Sequence, residues 1–274
     1  MTVINTNVKS LVAQQALTVN NRGLSKTMEQ LSTGKRINSA ADDAAGLSIS
    51  NKMTAQIRGL NQAVRNANDA ISMVQTAEGA LNEVTNMLQR MRELAVQSVN
   101  GTNSTSDRAS LDAEFDQLSS EISRISNKTT WNGMEVMGSA AATFNYQVGP
   151  GASDTVAVSF SNVSSLGGIV SAASEGLDTA VSATSAIVEL DQAISTVDAY
   201  RSTLGAMVNR LNYAADNLTN VSTNTAASRS RILDTDYAAT TTELARSQII
   251  QQAATAMLAQ ANQSPSAVLS LLQQ

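Results

Sequence analysis

Residues 57–95 read IRGLNQAVRNANDAISMVQTAEGALNEVTNMLQRMRELA, with no proline anywhere in the stretch. Taking the larger apolar side chains in order, Ile57, Leu60, Val64, Ala67, Ile71, Val74, Ala77, Leu81, Val84, Leu88, Met91 and Ala95 recur at steps of three and four. That spacing lays one apolar stripe along one face of an α-helix, as in the seam of a coiled coil. One step departs from strict alternation: Ile71 to Val74 and Val74 to Ala77 are both three, a phase slip of the stammer kind. At 1.5 Å rise per residue the stretch extends about 57 Å, roughly twice the width of a small domain. A compact core cannot wrap such a helix, so the sequence predicts a fold organised lengthwise.

The flanks carry the same signal. Upstream, Leu17, Leu24, Met28 and Leu31 follow a 3/4 spacing with Asn21 in the remaining slot, until Gly34 ends the pattern and Asn38, Ser39 and Asp42 offer caps for the next helix. Downstream, VNGTNSTSD (99–107) is a polar turn whose Ser104 and Asp107 have the spacing of a capping box. Leu111, Phe115, Leu118, Ile122 and Ile125 then form the second arm of a helical hairpin. Asn132-Gly133 is a turn dipeptide, and after it the period changes to two. Phe144, Tyr146 and Val148, then Val156, Val158 and Phe160, joined by GPGASD, predict one small β-hairpin near 140–165. The Ser-, Gly- and Ala-rich stretch 161–184 reads as loop. Helical period resumes at Ile187, Leu190, Ile194, Val197, Leu204, Val208, Leu211, Ala215 and Leu218, with Arg201 in one seam slot as either a register device or a side chain reaching to the rim. A last helix starts near Asp236 and passes Ile249, Ile250, Ala253, Met257 and Leu258 into SAVLSLLQQ (266–274). Chain ends are usually frayed and polar, so an apolar run at that place calls for something to cover it.

Composition agrees with slender helices. Only 3% of the 274 residues are aromatic, and Pro occurs at positions 150 and 265 alone. A net charge of −5 and a pI near 4.8 give no basic surface for nucleic acid. The absence of Cys removes disulfide and thiolate chemistry, and the absence of His removes the commonest general base and metal ligand. No secretory signal core and no run of eighteen apolar residues is seen, so no membrane partner is expected. Paired terminal helices would still leave more apolar surface than a monomer tolerates, and a self-complementary contact that does not close makes a filament.

The segments LSTGKRINSAADDAAGLSISNKMTAQIRGLNQAVRNANDAIS (31–72) and QTAEGALNEVTNMLQRMRELAVQS (75–98) resemble the amino-terminal region of bacterial flagellins. STVDAYRSTLGAMVNRL (195–211), SRSRILDTDYA (228–238) and LARSQIIQQAATAMLAQANQSPSAVLSLLQ (244–273) resemble their carboxy-terminal region. The resemblance implies a mainly α fold, an elongated rod of long antiparallel coiled-coil helices from both termini with a small β-hairpin region in the middle. It implies an inner coiled-coil domain of residues 1–42 plus 235–274, and an outer rod of 43–234 with no separate large outer domain. It implies a structural subunit that polymerises into the extracellular flagellar filament, exported unfolded through the flagellar type III apparatus and folded on assembly. The implied partners are further copies of itself, an export chaperone on the carboxy-terminal helix, the filament cap and hook-junction proteins. The polymerisation core would comprise Leu17, Leu24, Met28, Leu31, Ile250, Met257, Leu258, Val268, Leu269, Leu271 and Leu272. QRMRELAVQ (89–97) further resembles the segment bound by the vertebrate flagellin-sensing Toll-like receptor, with Gln89, Arg90, Glu93, Leu94, Gln97 and Glu114 matching; Met91 stands where many relatives have Val, and Phe115 where Ile is usual. A hook–filament junction protein is the alternative.

Other features read more plainly. Asp42-Asp43 is a helix start rather than a cation site, since adjacent helical residues diverge and no third ligand stands near. STGKR is not a phosphate loop, because position 29 is Glu and Lys35 is followed by Arg36. Asn5, Asn7 and Asn21 are either accidental polar slots or register devices. An enzyme of the zinc-protease kind needs a His-Glu-x-x-His motif that a chain without His cannot form, so no catalytic residue, metal or cofactor is expected.

Overall fold

The computed structural model describes residues 6–138, 143–161 and 176–272, the side chains of 264–272 excepted. Helices α1 (Val8–Thr33), α2 (Ala44–Val99) and α3 (Thr105–Lys128) precede strands β1 (Thr130–Trp131), β2 (Met134–Glu135), β3 (Thr143–Gln147) and β4 (Thr155–Ser159). Helices α4 (Ala180–Leu233) and α5 (Tyr237–Leu272) follow. The class is mainly α with a small antiparallel region in the middle, as the sequence predicts. Two compact units result, one from residues 1–55 with 224–274 and one from residues 56–223.

In the central unit the core is built along one row of α2. Leu60, Ala63, Ala67, Ala70, Val74, Ala77, Leu81, Val84, Leu88, Met91, Ala95 and Ser98 alternate three and four without interruption, and none exceeds 2% exposure. The phase slip expected at Val74–Ala77 is therefore absent. It arises from following the bulkier Val64 and Ile71 beside the row, whereas Ala63 and Ala70 are the more deeply buried, Ile71 being a core member at 9% exposure. The same substitution of small for large occurs on α4, where Ala183, Ala186, Leu190, Ala193 and Val197 are buried while Ile187 and Ile194 pack at the side. Tyr200, three residues past Val197, continues that row, and its hydroxyl accepts the Ser161 N–H at 2.9 Å. Arg201, next to Tyr200, is partly buried, and its Nε is enclosed without a hydrogen-bond partner among the described residues.

The α2–α3 hairpin closes as expected. Ser104 and Asp107 make the reciprocal capping box, and Phe115 and Ile122 are buried against the α2 row. The Asn-Gly pair forms a second, minute hairpin that the sequence reading leaves as a turn: Asn132 (φ 48°) and Gly133 (φ 78°) both take left-handed backbone, as a two-residue turn between β1 and β2 requires. The β3–β4 hairpin has the alternation expected, with Phe144 opposite Val158 and Tyr146 opposite Val156. Phe144 and Phe160 meet edge to face with centroids 5.8 Å apart. Asn66 of α2 donates to the Gln147 carbonyl at 2.9 Å and fixes the hairpin on the helix. Of the expected loop 161–184, residues 162–175 lie outside the described residues; the helix resumes earlier than the seam suggests, at Ala180, with Thr179 accepting the Ser182 N–H.

In the terminal unit, α1 ends at Gly34 in left-handed conformation (φ 68°), with the Tyr237 hydroxyl 3.1 Å from where a Cβ would stand. The next residues bind carbonyls rather than phosphate. Arg36 N–H donates to Leu233 O at 2.7 Å, and its guanidinium donates to Ile232 O at 2.6 Å, covering the open end of α4. Asp42 gathers the loop, taking Lys26 Nζ at 2.9 Å and the Ser39 N–H at 3.0 Å. Asp43 caps α2 through the Gly46 N–H, confirming a helix start at the paired aspartates.

Two outcomes follow from these contacts. Ala70→Leu forces a large side chain into a filled row and is expected to cost about 1–3 kcal/mol, read as a lower urea midpoint at unchanged slope; a neutral result would place Ala70 outside the seam. The hydrogen bond from Lys26, then that from Ser39, holds the Asp42 carboxyl well below the usual carboxylate range. Its contribution is complete above the ordinary aspartate value near about 3.9 and is lost as pH falls through the lower folded value. Helical circular dichroism of the folded chain during acid titration is expected to show a late step that Asp42→Asn lacks.

Candidate functional site

Helices α1 and α5 approach within 8 Å and run antiparallel, and the groups between them mix leucines with small and polar side chains. Along α1 the partly covered row is Ser10, Ala13, Leu17, Asn20, Leu24, Thr27 and Leu31; along α5 it is Thr240, Leu244, Ser247, Gln251, Ala254, Leu258 and Ala261. Both rows alternate three and four. Side chains bridge them at intervals: Asn7 Nδ2 donates to Ala261 O at 2.7 Å, Ser10 Oγ to Asn262 Oδ1 at 2.9 Å, and Asn20 Nδ2 to Ser247 O at 3.0 Å. Gln251 Nε2 donates to Asn21 Oδ1 at 3.0 Å. Bonds that fix one side chain to one carbonyl set a register in a way that apolar packing does not. Asn7 and Asn21 are thus partnered across the pair; Asn5 lies outside the described residues.

Leu17, Leu24, Leu31, Leu244 and Leu258 are the large apolar side chains inside the pair. Val8, Val12 and Val19 of α1, and Ile250, Ala253 and Met257 of α5, lie outside these rows and are exposed. Met257 is 66% exposed and Val12 60%, and Leu11, Met28 and Ile249 stand open as well. A shallow groove of about 560 Å³ follows the line where the two faces meet, lined by Val8, Val12, Ala13, Met257 and Ala261 with Lys9 and Gln260 at its edge. Of the expected polymerisation residues, Leu17, Leu24, Leu31 and Leu258 are half-buried within the pair, while Met28, Ile250 and Met257 face out. Val268, Leu269, Leu271 and Leu272 fall in the last turns of α5, and their side chains lie outside the described residues.

This division of labour escapes a reading that follows the largest residues. On each helix two rows compete, an inner one in which leucines alternate with small and polar residues and an exposed one of apolar residues. The inner row could have been found by asking which row offers amide side chains spaced to reach a partner's carbonyls, as Asn7 and Asn20 are.

A second surface lies on the central unit, where α2 faces α3. Arg90 Nε meets Glu114 Oε1 at 2.9 Å, and Arg90 Nη1 meets Glu93 Oε2 at 3.0 Å. These two carboxylates, Glu114 first, hold the guanidinium pKa above its ordinary value. Gln89 and Gln97 are exposed beside them. Leu94 is only 1% exposed and belongs to the core beneath, so the surface set narrows to Gln89, Arg90, Glu93, Gln97 and Glu114. One turn away Arg92 pairs with Asp191 of α4 at 2.6 Å. Among the described residues no group of three His, Cys, Asp or Glu side chains could hold a metal ion, and no helix is long and apolar enough to cross a membrane.

Residues 4–141 match the bacterial flagellin N-terminal helical region, and residues 187–272 match the bacterial flagellin C-terminal helical region. Over 270 residues the chain is 47% identical to the flagellin of Halalkalibacterium halodurans, covering 98% of this chain and 99% of that one. It is 36% identical to flagellin B of Vibrio cholerae over an alignment of 371 positions, again covering 98% and 99% of the two chains, so part of that relative has no counterpart in the 274 residues here. Among solved structures, Bacillus cereus flagellin is 34% identical with a TM-score of 0.51, covering 60% of this chain and 94% of its own. A protein of Vibrio parahaemolyticus described as flagellar hook-associated has a TM-score of 0.61 over 70% of this chain and 100% of its own, but at 14% identity that is a likeness of fold alone.

Proposed function

This chain belongs to the bacterial flagellin family and is a structural subunit of the extracellular flagellar filament, and we propose that its two terminal helices supply the assembly contacts. The observation that carries this reading is the placement of side chains on α1 and α5. Leucines alternate with small and polar groups inside the pair, while Val8, Val12, Val19, Ile250 and Met257 remain exposed. A pair built this way buries only part of its apolar surface on its own, so further favourable burial waits for neighbouring copies. Its ordering is then coupled to assembly, since such thin segments cannot offset their chain entropy alone. We assign residues 1–42 with 235–274 to the inner shell of the filament and 43–234 to the outer, the β3–β4 hairpin included. The apolar tail from Ser266 onward is covered by the next copy, which accounts for an apolar chain end.

Full-length monomer added to sheared filament seeds is expected to elongate them, and a form ending at Gln263 is not, by light scattering and electron microscopy. Elongation by both forms would remove the tail from the contact. Elongation by neither would favour a hook–filament junction protein, a reading that otherwise rests on a 14% identical fold likeness. A catalytic role has no support in residues that hold neither His nor Cys.

The remaining partners follow from the same surfaces. Until assembly, the outward apolar face of α5 needs cover during export, and an export chaperone on that helix meets the need; filament cap and hook-junction proteins would dock on the terminal pair at the two ends of the polymer. Gln89, Arg90, Glu93, Gln97 and Glu114 offer a polar, ion-paired surface to a flagellin-sensing Toll-like receptor, with Leu94 supporting the helix from below. Arg90→Ala and Glu114→Ala are each expected to weaken receptor signalling by monomer at least about tenfold. Their melting curves should stay unchanged, because exposed pairs of this kind contribute little to stability. Equal signalling by variants and parent would remove this surface from recognition.

A further inference from the structure

The methionines of this chain differ widely in exposure. Met73, Met91 and Met137 are fully buried in the central core and Met134 is exposed on β2, whereas on the terminal helices Met257 is 66% exposed and Met28 55%. Met257 also lines the apolar groove between α1 and α5, beside Val8 and Val12. Its neighbours there are aliphatic, with the Lys9 ammonium and the Gln260 amide at the edge. A thioether in that position is open to small oxidants in the free subunit, and it sits on a face whose value depends on remaining apolar.

We propose that Met257, with Met28 as a second target, is an oxidative modification site through which peroxides block incorporation of free subunits into the polymer; the inference rests on the assembly reading given above. In the step, a sulfur lone pair of the thioether attacks one oxygen of the peroxide and the O–O bond breaks. That oxygen is transferred to sulfur, and the other leaves as water after proton transfer. The methionine is oxidised to the sulfoxide and the peroxide is reduced. The product replaces a flexible apolar group by a polar, chiral one. A sulfoxide at Met257 carries its S=O dipole into a groove whose aliphatic walls offer no donor, and only the rim groups Lys9 and Gln260 could satisfy it. Sulfoxides are reducible by methionine sulfoxide reductases, so the block is reversible. Once a neighbouring copy covers the groove, the thioether is shielded, so the modification selects against free subunits and spares assembled ones.

The test uses the full chain and needs no substitution. Monomer is treated with hydrogen peroxide until part of each exposed methionine is oxidised, quenched, and offered to sheared filament seeds. Polymer and remaining monomer are then separated and the sulfoxide fraction at each methionine is measured by peptide mass spectrometry. Met257 and Met28 are expected to oxidise ahead of Met73, Met91 and Met137. Met257 sulfoxide should be depleted at least about fivefold in polymer relative to monomer, while the sulfoxide of Met134, exposed on β2 of the central unit, partitions evenly. Treatment with both sulfoxide reductases should return the excluded fraction to elongation. Even partitioning of Met257 sulfoxide, or exclusion that the reductases do not reverse, would overturn the proposal. Untreated monomer that cannot elongate seeds would bring down the assembly reading, and this inference with it, so the two failures are told apart by the untreated sample.

Discussion

The central unit depends on one uninterrupted row of side chains on α2, from Leu60 to Ser98, that never drifts off the core face. A strict seven-residue repeat drifts about 20° per heptad on a straight helix, so a row this long keeps facing the core only if the helix winds gently with its partners. Alanine at Ala63, Ala67, Ala70, Ala77 and Ala95 leaves room in the row for large residues of the elements packed on it. Phe115 and Ile122 enter from one side, Leu190, Leu204 and Leu211 from another, and Val156, Val158 and Phe160 from the hairpin. The core is thus narrow along its length, with Met73 and Leu94 buried beside the main row of α2.

The terminal unit solves a different problem. In the central unit a continuous cluster of apolar side chains is fully buried. Between α1 and α5 the inward leucines alternate with serine, threonine, asparagine, glutamine and alanine, and specificity comes from amide-to-carbonyl bonds such as Asn7 to Ala261. Polar bridges of this type add little net stability but strongly favour one alignment over its neighbours, because each misalignment strands a donor. The pair is therefore well aligned before it is well buried. An element that must be recognised by many identical copies benefits from a fixed shape that keeps its apolar faces in reserve.

Much of this was legible in the sequence. The period-two runs around GPGASD gave both strands and their inward residues, because alternation on a half-buried strand has one solution. The capping box at Ser104 and Asp107 and the αL turn at Gly34 were equally readable, since few residue types satisfy those backbones. The seams were readable as seams but not as particular rows. Val64, Ile71, Ile187 and Ile194 drew the eye from Ala63, Ala70, Ala186 and Ala193, because hydrophobicity ranks residues by size and a crowded seam selects for smallness. Asn20 and Asn21 are adjacent and identical, so spacing alone cannot separate them; both are partnered across the pair, Asn20 with the Ser247 carbonyl and Asn21 with Gln251. The second surface, around Arg90 and Glu114, could be located by likeness to relatives, but periodicity could not have told that Leu94 lies beneath it.

The bonds of the terminal unit join residues that are extremely distant in the chain. Asn7 meets Ala261 across 254 positions, and the Arg36 guanidinium closes the end of α4 across 196. Contacts of such separation close late: when the chain is presented in sequence order, α1 has nothing to pair with until α5 has followed it. Timing is in this way written into the topology of the terminal unit.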